Sequence, residues 1–314
     1  MSHALHRYFH ANASGSTGSN GSSSDVKTIG APYALVTGAT GGMGEEWALQ
    51  LAELGFNIII QGRNRTKLEA VKAQISKRRA AASSRNAGDA VDVRLLVCEA
   101  TIYPNAGLTD GLAAVLSDPA IRLTVLINNL GVNVTHFPRL EDTKSEEIAE
   151  IVIANSFFPA ETARICLPHL KRHQPALLVT VTSIGAWATP PYLAPYIGTK
   201  GFDVAFSDSL RNEQISEGTQ VDVVCMAPGQ VQSGMCNEPV GLMIPTSKDW
   251  VTSAIASLRS TWWTPVPAAV IAPWTPHAWG QWFTALAPRC IIGPMSRNII
   301  KDLKAKEMDA RKGL

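Results

Sequence analysis

Tyr33-Ala34-Leu35-Val36-Thr37-Gly38-Ala39-Thr40-Gly41-Gly42-Met43-Gly44 runs a short apolar segment straight into a glycine-rich turn. Apolar residues at helical spacing continue through Trp47, Leu51 and Leu54 and stop at Gly55. Strand, glycine turn, helix is the form of a phosphate-binding βα unit. Gly38 lets the chain turn sharply, and Gly42 and Gly44 let backbone N–H groups approach a pyrophosphate at the positive end of the helix. The spacing G-x-G-x-x-G is absent, and the glycines are arranged as T-G-x-x-x-G-x-G instead. A plain glycine-rich turn is the competing reading, and the rest of the chain decides between the two.

Strand-like apolar runs recur at Phe56–Ile60, Val91–Cys98, Arg122–Asn129, Ala176–Val181 and Val221–Met226. Helical patterns lie between them, over Lys67–Arg79, Glu146–His173 and Leu193–Glu217. Strands alternating with helices of this length predict a parallel sheet with helices on both faces. Ligands on such sheets sit at the carboxyl ends of the strands. The second strand ends in Gln61-Gly62-Arg63-Asn64-Arg65, where a dinucleotide fold reads the adenosine ribose. An acid there would bind a 2′-hydroxyl and repel a 2′-phosphate. None occurs before Glu69, whereas Arg63 and Arg65 do, so the chemistry favours NADP over NAD. Glu99, just past the third strand, is placed beside the adenine.

Tyr196 and Lys200 stand four apart, one above the other on a helix. An ammonium close to a phenol favours the phenolate, with an attraction of about 4 kcal/mol at ~4 Å and an effective dielectric of ~20. Ser183, at the end of the fifth strand, and Asn155, alone in an apolar stretch, complete a candidate polar site. A buried asparagine must satisfy its amide, as a local structural device or as part of that site.

The 314 residues carry a net charge of +2 and are 46% hydrophobic, which allows a full core and gives no electrostatic argument for nucleic acid. Five scattered cysteines show no metal-ligand spacing, so no metal is expected, and Cys98 and Cys225 read as buried small hydrophobes. Ala11–Ser24 contains only Ala, Asn, Ser, Gly and Thr, and residues 1–30 read as a disordered Gly/Ser-rich tail. Residues 31–235 read as the dinucleotide-binding and catalytic domain, and 236–314 as its substrate lid and C-terminal extension.

With these residues assembled, Thr37–Gly44, Asn128–Gly131, Asn155, Ser183, Tyr196, Lys200 and Pro228-Gly229 resemble the short-chain dehydrogenase/reductase superfamily over about Tyr33 to Val231. Leu130 departs from the usual Asn-Asn-Ala-Gly. Gly55-Phe56-Asn57, Asn128–Val132, Pro245-Thr246-Ser247 and His277-Ala278 are similar to the branch of 17β-hydroxysteroid dehydrogenases and very-long-chain 3-oxoacyl-CoA reductases. The resemblance implies a single Rossmann-type doubly wound sheet with an apolar helical C-terminal extension, and NADP(H) as cofactor. It implies cofactor contacts at Thr37, Gly38, Thr40, Gly42, Met43, Gly44, Arg63, Glu99, Asn129, Gly131, Tyr196, Lys200, Pro228, Gly229 and Val231. Tyr196 would protonate a substrate carbonyl oxygen, Ser183 would hydrogen-bond it, and Lys200 would hold the nicotinamide ribose. Asn155 would position a water leading towards Lys200. The implied activity is reduction of a ketone on a lipophilic substrate, a 3-oxoacyl-CoA or a steroid. A secondary-metabolite ketoreductase and a non-catalytic cofactor-binding scaffold are the alternatives.

From Ser260 onward the chain holds Trp262, Trp263, Trp274, Trp279 and Trp282, five of its eight tryptophans. No Asp, Glu, Lys or Arg occurs from Ser260 to Pro288, but Pro265, Pro267, Pro273 and Pro276 would break a spanning helix. Three readings remain for this segment: a lid over a lipophilic substrate, a peripheral membrane contact, or a homodimer surface. A cytoplasmic location is expected, with contact to the endoplasmic reticulum membrane through the tryptophans as the open addition.

Overall fold

Seven strands carry the apolar runs: β1 (Tyr33–Val36), β2 (Asn57–Gly62), β3 (Val93–Val97), β4 (Leu123–Asn128), β5 (Ala176–Val181), β6 (Val221–Met226) and β7 (Val270–Ile271). This computed structural model describes residues 5–9, 30–82, 91–133, 137–236, 238–258 and 270–312. All pairings are parallel and the strand order is β3-β2-β1-β4-β5-β6-β7. Every residue of β1, β4 and β5 is buried, as expected of strands covered on both faces.

One face packs Trp47, Phe56 and Trp250 against the sheet, under α2 (Gly42–Glu53), α3 (Arg65–Ala82) and α9 (Ser247–Ser257). The other packs Leu108, Leu112, Phe158, Cys166 and Leu170, under α4 (Ala106–Leu116), α6 (Phe158–Arg172) and α8 (Ala194–Ser216). This is the expected doubly wound α/β sheet. Cys98 and Cys225 are buried within it.

Three readings of the sequence need correction or extension. Glu146–His173 is not one regular helix: α5 (Ser145–Val152) runs through a π-helical turn, Ile153–Phe157, into α6. Pro159, at the start of α6, lacks the N–H that a regular turn would direct at the Asn155 carbonyl, and a wider turn accommodates that gap. Residues 1–30 are not a tail throughout. His6–Phe9 form a helical turn, α1, with Leu5 and Tyr8 buried. Tyr8 Oη donates to Asp222 Oδ2 at 2.7 Å and Phe9 meets Phe56 edge-on, so four residues recruit apolar and aromatic surface that composition alone does not reveal. Ala11–Ser24 lies outside the described residues. Finally, the segment assigned to the lid and C-terminal extension contributes to the main layers as well. Trp250, Val251 and Ala254 of α9 are core residues and β7 pairs with β6, so both belong to the main layers.

Leu5→Ala is expected to lower stability by about 2–4 kcal/mol, the cost of a buried leucine cavity. Urea unfolding of the full chain checks this, and an unchanged midpoint would release α1 from the core.

Candidate active site

The candidate residues line the carboxyl ends of β1, β4, β5 and β6. Strand order reverses between β1 and β4, which opens a crevice there. Across it, Thr37 Oγ1 accepts the N–H groups of Asn129 (3.0 Å) and Leu130 (3.1 Å), and Asn129 Nδ2 donates to the Thr37 carbonyl at 3.2 Å. Gly38 comes next at φ 66°, with its N–H donating to Gln61 Oε1 at 3.0 Å. A Cβ at Gly38 would lie 2.9 Å from Leu130 Cα, and one at Gly44 would lie 2.2 Å from the Gly38 carbonyl oxygen. The first turn of α2 therefore packs against the turn only as glycine. No side chain caps α2 at Gly41, leaving its first N–H groups to a ligand, and a pyrophosphate fits that need. Gly42, at φ 58°, faces Ser233 from the loop after β6, Thr40 packs on Gly62, and Met43 is half-buried.

At the ribose end the two arginines part company. Arg65 turns along its own helix to Glu69 (3.7 Å), while Arg63 Nη1 lies 3.4 Å from Glu99 Oε2. Burial acts to raise the Glu99 carboxyl, but the N–H groups of Ala100 and Thr101, with Arg63, outweigh it and hold the group below its ordinary range. The acid missing after β2 thus arrives from β3, paired to the arginine.

Tyr196 opens α8 and Ser183 stands just past β5. Thr182 Oγ1 donates to the Lys200 carbonyl at 2.7 Å, which ties the strand end to the helix. A Cβ on Gly185 would stand 2.8 Å from Ile197 and 3.3 Å from Ser183 Oγ, so the serine hydroxyl and the first turn of α8 share one wall. Lys200 is buried; its Nζ lies 5.8 Å from the centroid of the Tyr196 ring. The Lys200 ammonium has two further partners: Nζ donates to the Val181 carbonyl and to Asp203 Oδ2, each at 2.9 Å. Asn155 faces it from the π-turn. Its Oδ1 accepts the Val132 N–H (2.7 Å), and its Nδ2 donates to the Val132 carbonyl (2.8 Å) and to Thr199 Oγ1 (3.2 Å). A Cβ on Gly131 would lie 3.6 Å from Asn155 Oδ1 and 3.7 Å from Lys200 Nζ, so all three border one small space.

Beyond β6, the Pro228 carbonyl accepts the Ile184 N–H at 2.9 Å, and Val231 is buried. The Gly229 N–H donates to His277 Nδ1 at 3.0 Å. His277 Nε2 must then carry the hydrogen, donating to the Met243 carbonyl at 3.0 Å. Burial holds this imidazole below its usual value, consistent with a neutral ring. His277 sits on α10 (Thr275–Leu286), which packs against α7 (Gly185–Ala188), the short helix after Ser183. His277 and Thr284 of α10 face inward, whereas Trp279 (75% exposed), Trp282 (64%), Phe283 and Leu286 (74%) project from the opposite side. Trp262 and Trp263 lie outside the described residues.

Every candidate site residue therefore falls on this edge of the sheet. Sequence reasoning missed Gln61 and Asp203, and used His277 only as a cue to relatives. Asp203 carried one signal, its place seven residues after Tyr196 on the same helical face.

The model of the short chain dehydrogenase family matches residues 32–240. The chain belongs to that family. As a short-chain dehydrogenase it is an oxidoreductase, and its relatives agree. It is 30% identical over 251 residues to a very-long-chain 3-oxoacyl-CoA reductase of Pyricularia oryzae, covering 80% of this chain and 71% of the relative. Among solved structures, a 3-ketoacyl-(acyl-carrier-protein) reductase from Brucella melitensis complexed with NADH superposes with a TM-score of 0.62 at 23% identity, covering 78% of this chain and 97% of that one. A short-chain dehydrogenase from Sphingobium yanoikuyae in complex with NADPH gives 0.63 at 20% identity, covering 77% and 87%.

Gly44→Ala must push the first turn of α2 off the Gly38 carbonyl, whereas a Cβ at Gly41 meets nothing within 4 Å. NADPH affinity, read by fluorescence titration, is expected to fall about tenfold or more (~1.4 kcal/mol) in Gly44→Ala and to hold in Gly41→Ala. Equal affinities would remove the turn from the cofactor site.

Proposed function

We propose that the protein is an NADPH-dependent reductase of the ketone in a lipophilic acyl thioester, a 3-oxoacyl-CoA. The observation that carries this reading is the convergence of Ser183, Tyr196, Lys200 and Asn155 beside the glycine turn at the strand-order reversal. The name of the Pyricularia oryzae relative supports the acyl class. Arg63, exposed at the end of β2, supports the 2′-phosphate of NADPH, which would take the place of Glu99 as its partner.

When bound, the nicotinamide supplies the hydride. The chain's own residues do the rest. Tyr196 donates its phenolic proton to the carbonyl oxygen as negative charge develops there. Ser183 Oγ already accepts the Gly185 N–H at 3.1 Å, which leaves its hydroxyl hydrogen for the same oxygen. Lys200 has two of its three N–H donors anchored, and the third serves a ribose hydroxyl or a water. The Asn155 amide binds Val132 and Thr199, so its side chain fixes the wall beside Lys200 at which a water would be positioned.

In Tyr196→Phe, NADPH oxidation with a long-chain 3-oxoacyl-CoA is expected to fall by about 10²–10⁴-fold while NADPH affinity is kept. The parent enzyme, assayed in parallel with NADH, should turn over far more slowly. Retained activity in the variant would sink the proton-donor assignment, and equal rates with both cofactors would sink the Arg63 reading.

The outward face of α10 fits a lipid surface. Trp279, Trp282, Phe283 and Leu286 share one side of the helix, and no acid occurs between Asp249 and Asp302, a stretch that carries Arg259, Arg289, Arg297 and Lys301. Apolar surface in a segment of the chain that carries cations and no acid suits an anionic leaflet better than a second copy of the same charge. Among the described residues no helix is long and apolar enough to cross a membrane, so the contact is peripheral. The protein is expected to sediment with vesicles containing phosphatidylserine, and the double variant Trp279→Glu, Trp282→Glu to stay in solution with its NADPH affinity intact. Absence of vesicle binding with concentration-dependent self-association would assign the face to a homodimer.

A further inference from the structure

Lys200 and Asp203 form an ion pair whose side chains are only 5% and 2% exposed. An ammonium buried to that degree without a counter-charge loses its proton. We propose that Asp203 is a positioning residue of the reductase site: its carboxylate keeps Lys200 charged and fixes its ammonium beneath Tyr196. The proposal rests on the proposed roles of Tyr196 and Lys200 and adds the residue through which the lysine acts.

Three observations carry it. The first is geometric. Asp203 Oδ2 and the Val181 carbonyl hold Nζ at 2.9 Å each, one from the helix and one from the strand, which leaves a single N–H to serve the space beside Gly131 and Asn155. The second is the other carboxylate oxygen. Asp203 Oδ1 is buried without a hydrogen-bond partner, an arrangement that costs stability. A core under selection for stability alone would place an apolar side chain here. The third is what surrounds the pair. Tyr196 faces it from the same helix and Cys225 from β6, its Sγ 3.8 Å from the Asp203 carbonyl oxygen. Burial pushes that thiol up to about 12, so it stays neutral. From β5 come the Val181 carbonyl and Thr182, and from the π-turn Asn155, none of which is charged at neutral pH.

Burial acts to lower Lys200, but Asp203 and Tyr196 outweigh it and hold the ammonium above its ordinary value. Burial in turn pushes Asp203 up to about 6 against the pull of Lys200. Above that pH the pair is ionised, and it persists until Lys200 itself deprotonates. Without the carboxylate, desolvation acts on Lys200 unopposed and its pKa falls.

The lysine can be observed directly. The full-length protein is labelled with ¹³C at the lysine ε-carbons and titrated by NMR, with the Lys200 signal assigned by its loss in Lys200→Met. In the unmodified chain Lys200 is expected to stay an ammonium past the ordinary lysine value of about 10.4. In Asp203→Asn, which keeps the shape and removes the charge, the midpoint is expected to fall by about 2 units or more. The alkaline limit of NADPH oxidation should fall with it. A Lys200 midpoint below the ordinary value in the unmodified chain would overturn the proposal even if the variant does not fold, and so would an unmoved midpoint in Asp203→Asn. If the midpoints behave as expected but the unmodified enzyme reduces no 3-oxoacyl-CoA, the pair stands and the substrate reading falls.

Discussion

A threonine hydroxyl holds the two central strands together where the fold can least supply a backbone ladder. Between β1 and β4 the strand order reverses, the helices after them leave in opposite directions, and the sheet would gape. Thr37 Oγ1 takes the N–H groups of Asn129 and Leu130 at that point, and Asn129 returns a bond to the Thr37 carbonyl. The glycine turn and the Asn128–Gly131 segment are therefore one unit. Gly44 packs against this unit, and Gly131, its last residue, opens toward Asn155 and Lys200.

The wall of the candidate site depends on a second closure of the same kind, made by side chains reaching from loop to helix. Thr182 binds the Lys200 carbonyl, Asn155 spans Val132 and Thr199, and Thr199 binds the Tyr196 carbonyl. Because all the strands are parallel, each of these groups arrives at the same edge without any segment having to cross the site. His277 performs the equivalent service on the far side, where it bonds both Gly229 and Met243 and so ties the loop after β6 to α10.

Much of this was legible from sequence, for a physical reason that also marks the limit. β5 and β6 were read to the residue because strands buried on both faces are written as unbroken apolar runs. Ser183, Tyr196, Lys200 and Asn155 could be picked out because each is polar where its neighbours are apolar or is held at helical spacing. The two residues of β7 carry no periodicity, and α1 is a single turn whose worth lies in Asp222 and Phe56 more than 40 positions away. Gln61 and Asp203 were invisible as site residues because their importance is a property of a pair: one meets Gly38 and Cys98, the other meets Lys200 only once the helix is wound and buried. The π-turn escaped because hydrophobic periodicity over a long helix tolerates one extra residue.

That extra residue has a consequence for how the enzyme can change. A wide turn stores one residue of register within an otherwise regular helix. Deleting a residue there would close the wide turn to α-helical register, kinked at Pro159, and everything upstream would rotate by about 100° relative to everything downstream. Asn155 would then face away from Val132 and Thr199 while the core positions of α6 stayed in place. Insertions and deletions in this helix are therefore not equivalent to those in a surface loop. The length of the chain at this point sets the compass bearing of a site residue, independently of which amino acid stands there.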